Sequence, residues 1–242
     1  MLPLPGIPEI VAGDDLAALL AEAAERAGGI ERGDVLVVAQ KVISKAEGRT
    51  VRLDELEPSA LARTLAGGEE DPRRVEAVLR EAARIVRSRG SFVIAETRHG
   101  FVCASAGVDA SNAPGPGLLV LLPLDPDASA SRLRERLGEL MGVRPGVIVS
   151  DSFGRAWRHG TTDVAIGAAG VPVLLDLRGE RDSSGYVLGG TTIAVADEIA
   201  GAAELVLGKA AGVPAALVRG LELEGDGRAR DLVMSADRDL FR

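Results

Sequence analysis

Residues 34–49 read Asp-Val-Leu-Val-Val-Ala-Gln-Lys-Val-Ile-Ser-Lys-Ala-Glu-Gly-Arg. The first six form a short, β-branched apolar run of the kind found in a buried strand, and the run opens directly into a polar segment carrying Gln40, Lys41 and Lys45. A strand that ends in lysines marks a candidate site. The same grammar recurs at Val147-Ile-Val-Ser-Asp151, where an apolar run stops at a carboxylate. It gives way to the glycine- and arginine-rich Ser152-Phe-Gly-Arg-Ala-Trp-Arg-His-Gly160.

Helical spacing flanks these runs. Asp14 caps a pattern that places Leu16, Leu19, Leu20, Ala23 and Ala27 on one face and ends at Gly28-Gly29. A helix is expected over 59–66, and another from the cap Asp71 with Pro72 at its first position, burying Val75, Val78, Leu79, Ala82 and Val86. Strand-like runs follow at 91–96, 101–104 and 118–122. After Leu124-Asp-Pro-Asp127 a helix presents Leu133, Leu137, Leu140 and Met141. Residues 173–177 read as a strand, 192–207 as a largely apolar helix and 215–218 as a strand. No repeat of roughly 20–50 residues recurs, which excludes a solenoid. The expectation is a mixed α/β, α+β-like fold with mixed sheets and flanking helices, residues 1–242 forming one unit or two interwoven lobes.

Composition excludes several classes. With 242 residues and 46% apolar content the chain can bury a core and is not disordered. Aromatic residues are only 2%, which disfavours a base-stacking surface, and 28 Lys plus Arg against 36 Asp plus Glu give a net charge of −8 that repels a phosphate backbone. No nucleic-acid partner is expected. The single cysteine, Cys103, rules out an internal disulfide or a multi-thiolate zinc site and reads as an inert core thiol. The start lacks a basic region and signal-length apolar stretch, and no apolar run reaches membrane-span length, so the expected location is cytoplasmic with no membrane partner.

Standard phosphate and hydrolase motifs are absent. There is no GxGxxG, and Gly208-Lys209 lacks the upstream glycine and following Ser/Thr of a Walker A loop. No HExxH or GxSxG occurs. Asp109 and Asp151 each stand where an apolar strand gives way to a glycine-containing loop, where carboxylates suit a hard divalent cation and the hydroxyl of Ser152 can join them. Turn-capping is the alternative role for both acids. Gln40, Lys41 and Lys45 suit phosphate neutralisation, and Arg155 and Arg158 suit a clamp on an acyl or phosphoryl oxygen. The polar stretch holding Asp176, Arg178, Gly179, Asp182 and Gly185 is a further candidate; Asp197-Glu198 reads as the solvated face of a helix, and Trp157 as a packing residue.

Several segments carry a combined signal. They are Leu4-Pro-Gly-Ile-Pro-Glu-Ile10 with Gly13-Asp14-Asp15, Val42-Ile-Ser-Lys-Ala-Glu-Gly-Arg49, Ala106-Gly-Val-Asp-Ala-Ser-Asn112 and Leu122-Pro-Leu-Asp-Pro-Asp127. Further along stand Ser150-Asp-Ser-Phe-Gly-Arg-Ala-Trp-Arg158, Val164-Ala-Ile-Gly-Ala-Ala-Gly170, Ala194-Val-Ala-Asp-Glu-Ile-Ala200, and Gly212-Val-Pro214 with Val218-Arg-Gly220. In their order and spacing, over nearly the whole chain, these segments together resemble the coenzyme F420:L-glutamate ligase family. The resemblance implies a family-specific ligase fold, a homodimer with its site near the subunit interface, and a GTP-dependent ligation of L-glutamate, through γ-linkage, to the deazaflavin coenzyme precursor. It also implies Mg²⁺ or Mn²⁺, with K⁺ as an accessory ion, and an acyl-phosphate intermediate.

By position, the resemblance makes Asp109, Asp151 and Ser152 the metal ligands, the serine standing where threonine is common. It makes Ile7, Pro8, Glu9, Ile10, Gln40, Lys41, Lys45, Asn112 and the loop Leu207, Gly208, Lys209, Ala210, Ala211, Gly212 and Val213 the nucleotide contacts. Lys209 departs from the acidic or amide residue of some relatives, so a metal contact there would use its backbone carbonyl. Lys45, Arg155 and Arg158 are the expected charge-stabilising residues. Some relatives continue into a flavin-binding, reductase-like domain; here a single ligase domain over 1–242 is expected. Two other readings fit the same residues: a metal-dependent NTP-using ligase or kinase for another small carboxylate, and a non-catalytic GTP-binding regulator. The intact Lys45, Asp109, Asn112, Asp151 and Ser152 favour turnover over the regulator.

Overall fold

The apolar run at 35–39 forms the middle strand of the main sheet. The structure, a computed structural model, describes residues 1–240. In chain order it runs β1 (Leu2–Pro3), α1 (Leu16–Arg26), β2 (Val35–Ala39), α2 (Gln40–Ala46), β3 (Thr50–Arg52), α3 (Ala60–Ala66), α4 (Pro72–Glu81), β4 (Ala82–Arg89) and β5 (Phe92–Thr97). It continues with β6 (Val102–Ala104), β7 (Leu118–Val120), α5 (Pro126–Met141), β8 (Gly146–Gly154), β9 (Thr161–Ala169), β10 (Leu175–Asp176), β11 (Thr192–Ile193), α6 (Val195–Leu207) and β12 (Ala215–Val218). The fold is α+β.

The main sheet has strand order β1-β12-β2-β8-β9, with β2 and β8 parallel and the other neighbours antiparallel. Its central strands are covered on both faces. Leu36, Val38, Val147, Val149, Ala215 and Leu217 point into one core with α1 and α5, while Val35, Val37, Ile148, Ala216 and Val218 point into a second core with α6. This double burial is why the runs at 35–39 and 147–149 are uninterruptedly apolar rather than alternating. Each fully buried Val or Leu contributes roughly 1.5–3 kcal/mol. Between the two halves of this sheet the chain departs over 50–122 to build a second lobe, with the sheet β4-β5-β6, the pair β3-β7, and helices α3 and α4. The two lobes are therefore interwoven in sequence.

Several expected boundaries move. Asp15, not Asp14, caps α1, accepting from Ala18 N at 3.2 Å, while Asp14 accepts from Val11 N. The helix begun at Pro72 stops at Glu81, so Ala82 and Val86 lie in β4 instead of on a helix face. β-branched Ile85 pairs with Ala95 of β5, Val86 sits at a register shift, and the strands turn at Gly90, whose φ of +59° suits glycine, so cross-strand pairing overrides helical spacing. The polar segment after β2 is the short helix α2. Residues 161–169 form β9, unmarked in the sequence because alanine and glycine are poor strand formers. Gly167 is required there: a Cβ would lie 2.3 Å from Pro126 O, so α5 packs directly on the strand backbone. The expected helix 192–207 begins only at Val195, and the expected strand 173–177 is reduced to Leu175–Asp176.

β9 is the outer strand of the sheet, and carboxylates cover its free edge. Asp163 N donates to Glu204, Ala165 N to Asp197, Ala168 N to Asp127 and, just past the strand, Gly170 N to Asp226. Asp197 thus acts on the sheet rather than merely solvating its helix. Asp127 also accepts from Ala229 N at 2.7 Å and Arg230 Nε at 3.0 Å, tying the C-terminal segment to the sheet. Among the described residues no helix is long and apolar enough to cross a membrane.

Replacing Asp127 with Ala strands two buried backbone donors and should cost about 3 kcal/mol, read as a lowered urea midpoint. Asp34 gives a pH test. Burial pushes its carboxyl up, but the Arg219 guanidinium at 2.7 Å and the Glu31 N–H outweigh that and hold it below the usual range. Its contribution is therefore full above the unfolded value near pH 4 and lost as pH falls through the lower folded value. Asp34→Asn should lower stability at pH 7 by about 3 kcal/mol and flatten the acid limb of the stability curve. An unchanged acid limb contradicts this.

Candidate active site

The ends of β2 and β8 set the site. Their parallel ladder closes with Ala39 beside Ser150, so Gln40 and Lys41 leave one strand next to Asp151 on the other. β1 and β12 run antiparallel to their neighbours, which brings 7–10 after β1 and 207–214 before β12 to this same end. Ala39 N donates to Pro214 O at 2.8 Å and Leu4 N to Ala215 O at 2.9 Å, fixing both passages. The second lobe supplies 103–112. Together these segments wall a cavity of about 590 Å³ between the lobes.

Ile7, Pro8, Glu9, Ile10, Gln40, Lys41, Lys45, Asp109, Asn112, Asp151, Ser152, Leu207, Gly208, Lys209, Ala210, Gly212 and Val213 all line this cavity. Ala211 does not, and its N–H closes a turn onto Gly208 O. Arg155 and Arg158 are also absent from the wall: both lie on the exposed turn joining β8 to β9, where Arg155 Nη2 donates to His159 O at 2.8 Å. Trp157, on the same turn, is 82% exposed. None of 176–185 reaches the wall, and Arg178 is paired with Asp176.

Electrostatics differ sharply between the two acids. Asp109 is anchored in the second lobe, where its backbone bridges to Val120, and reaches the first through Lys41, whose Nζ lies 2.6 Å from its Oδ2. Burial raises the Asp109 carboxyl, but Lys41 and the N–H and hydroxyl of Ser111 outweigh it and keep it below the usual range. Asp151 is pushed up to about 7, chiefly by burial and further by the carboxylates of Asp163 and Asp109, against the Ser152 N–H and Lys41. Lys45 is 5% exposed and pairs with Glu9 at 2.5 Å. Burial takes the Cys103 thiol up to about 12, as an inert thiol requires.

The donor set fits a hard divalent cation. Two carboxylates and a hydroxyl share one wall, and the acids around Asp151 are offset mainly by Lys41, so added positive charge is favoured there. Among the described residues no group of three or more His, Cys, Asp or Glu is arranged to hold a metal unaided, which leaves coordination positions for Ser152, water and phosphate oxygens. The wall also carries a donor in reserve. Ser44 Oγ donates to Gln40 Oε1 at 2.7 Å, and Gln40 Nε2, buried, meets no acceptor. Asn112, with φ of +54°, turns its Nδ2 toward Lys209 O at 3.4 Å, so that carbonyl faces across from the second lobe.

Sequence reading did not single out Asp163, Glu204, Ser150 or Arg74, all on the wall. Glu204 carried a usable signal, a carboxylate within the mostly apolar helix α6. Asp163 carried none, because its strand was not recognisable.

Residues 6–220 match the family described as F420-0:Gamma-glutamyl ligase. The coenzyme F420:L-glutamate ligase of Methanopyrus kandleri is 53% identical, covering 99% of this chain and 96% of its own length. Those of Methanothermobacter thermautotrophicus and Archaeoglobus fulgidus are 44% and 43% identical, over 98% and 100% of this chain and 96% of each relative. The matched span takes in both lobes and every segment that walls the cavity, and the chain belongs to the F420-0:gamma-glutamyl ligase family.

Proposed function

We propose that the chain is a GTP-dependent ligase that attaches L-glutamate, in γ-linkage, to the deazaflavin precursor of coenzyme F420. The observation that carries this reading is the convergence of Asp109, Asp151, Ser152, Lys41, Lys45 and Asn112 on one cavity of a chain in this family. The precursor carboxylate attacks the γ-phosphorus of GTP, the bond to the β–γ bridging oxygen breaks and GDP leaves. The neutral amine of glutamate then attacks the acyl carbon, phosphate departs with the acyl C–O pair, and one proton is released. A carboxylate needs this activation because its own oxygen is a poor leaving group.

Asp109, Asp151 and Ser152 would hold Mg²⁺ or Mn²⁺, which when bound neutralises charge on the transferring phosphoryl oxygens. Lys41 and Lys45 bring fixed positive charge to the wall, where low dielectric strengthens it, and positioning with electrostatics suffices for phosphoryl transfer. Gln40 Nε2 offers a desolvated donor to a ligand oxygen. The hairpin arginines Arg155 and Arg158 capture anionic substrate from the rim rather than acting inside the cavity. K⁺ serves as an accessory ion. The working form is a cytoplasmic homodimer: the chain's only Trp and only Tyr, Trp157 and Tyr186, are 82% and 67% exposed, and Leu174, Leu175 and Val187 are exposed as well, apolar surface of the kind a second copy would cover.

Incubation with GTP, Mn²⁺, L-glutamate and the deazaflavin precursor should yield products heavier by successive glutamyl units, with stoichiometric GDP, by mass spectrometry. Asp109→Asn should lower this rate at least about 100-fold while the unfolding free energy from urea titration stays within about 1 kcal/mol of the parent. GDP release only with a different carboxylate would shift the acceptor. GTP binding without GDP release would make the chain a regulator.

A further inference from the structure

We propose that Asp163 is a positioning residue for the metal site: it accepts the hydroxyl hydrogen bond of Ser152 and so turns that oxygen's lone pairs toward the cation. The inference rests on the metal-dependent reading above. It starts from the ladder between β8 and β9, where Ser152 stands directly opposite Asp163. Ser150 stands two residues before Ser152 in the same unbroken stretch of the ladder, so both side chains lie on one face and both reach the one carboxylate. Ser152 Oγ donates to Asp163 Oδ1 at 2.7 Å, and Ser150 Oγ to Oδ2 at 2.9 Å.

The chemistry of a hydroxyl gives this arrangement its meaning. Serine has one proton and two lone pairs, whereas an ionised carboxylate only accepts. With its proton committed to Asp163, Ser152 can present only lone pairs to the cavity, which is the state a metal ligand requires. A hydroxyl without that partner is free to rotate its proton toward the cation. Asp163 is well placed to enforce this, being 6% exposed with both oxygens engaged, while its own N–H is held by Glu204 on α6. It is the link between the outer strand and the oxygen donors, and outer partners of metal ligands commonly influence affinity about 10–100-fold.

The alternative is that Asp163 merely ties two strands together, or acts only through its charge. A double-mutant cycle on the full chain separates these, with Mn²⁺ itself as the probe and affinity read by electron paramagnetic resonance titration. Asp163→Asn, which preserves shape, should weaken Mn²⁺ binding at least about 10-fold with the urea midpoint showing a folded protein. In a Ser152→Ala background the same change should have less than about a twofold effect, because the oxygen it positions is gone. Ser152→Thr, which keeps the hydroxyl, should stay within about threefold of the parent. An Asp163→Asn effect that persists undiminished in the Ser152→Ala background, or no effect in the parent, overturns the assignment. Absence of Mn²⁺ binding by the parent chain removes both the metal-dependent reading and this inference, whereas binding that is indifferent to Asp163 removes the inference alone.

Discussion

The parallel ladder between β2 and β8 is the constraint on which the site depends. Parallel strands release their C-terminal ends on the same side, so two apolar runs separated by more than a hundred residues of sequence deliver Gln40-Lys41 and Asp151-Ser152 to one place. Both strands are buried on both faces, and a slip of one residue would exchange the contents of the α1/α5 core and the α6 core. The register is thereby over-determined by packing. The site inherits its geometry from that register.

Around this fixed pair the rest of the molecule solves two electrostatic problems. The first is the outer edge of the sheet, where β9 presents N–H groups on one side; Glu204, Asp197 and Asp127 accept them and protect the edge from pairing with other chains. The second is the concentration of acids at the cavity. Asp109 is stabilised as a carboxylate by Lys41 and Ser111, but Asp151 is not compensated to the same degree, and burial wins there. The proposed cation would relieve that imbalance, and Asp163 contributes to both problems because its backbone belongs to the edge and its side chain to the site.

Much of this was legible in the residues. The buried strands 35–39 and 215–218 showed as continuous apolar runs, the helices α1 and α5 as amphipathic spacing, and the lysines and Asp151 as polar groups placed abruptly at strand ends. What could not be read has physical reasons. α2 holds only Gln40–Ala46, too short for a helical period to declare itself, and it exists because β2 feeds it and the cavity wall buries it. β9 is rich in alanine and glycine because α5 presses on its backbone at Gly167, so the requirement of packing erased the signal of a strand. Arg155 and Arg158 drew attention through charge density alone, and density does not say which way a hairpin carries its side chains.

The proposed ligation requires one cavity between the lobes to hold a divalent cation against the nucleotide with Asp109, Asp151 and Ser152. Crystals grown with Mn²⁺ and a non-hydrolysable GTP analogue, measured at the manganese absorption edge, test it directly. An anomalous peak is expected within coordination distance of oxygens from all three residues, with phosphate oxygens completing the shell. A well-ordered nucleotide in this cavity with no manganese at these oxygens, or manganese bound elsewhere, would contradict it.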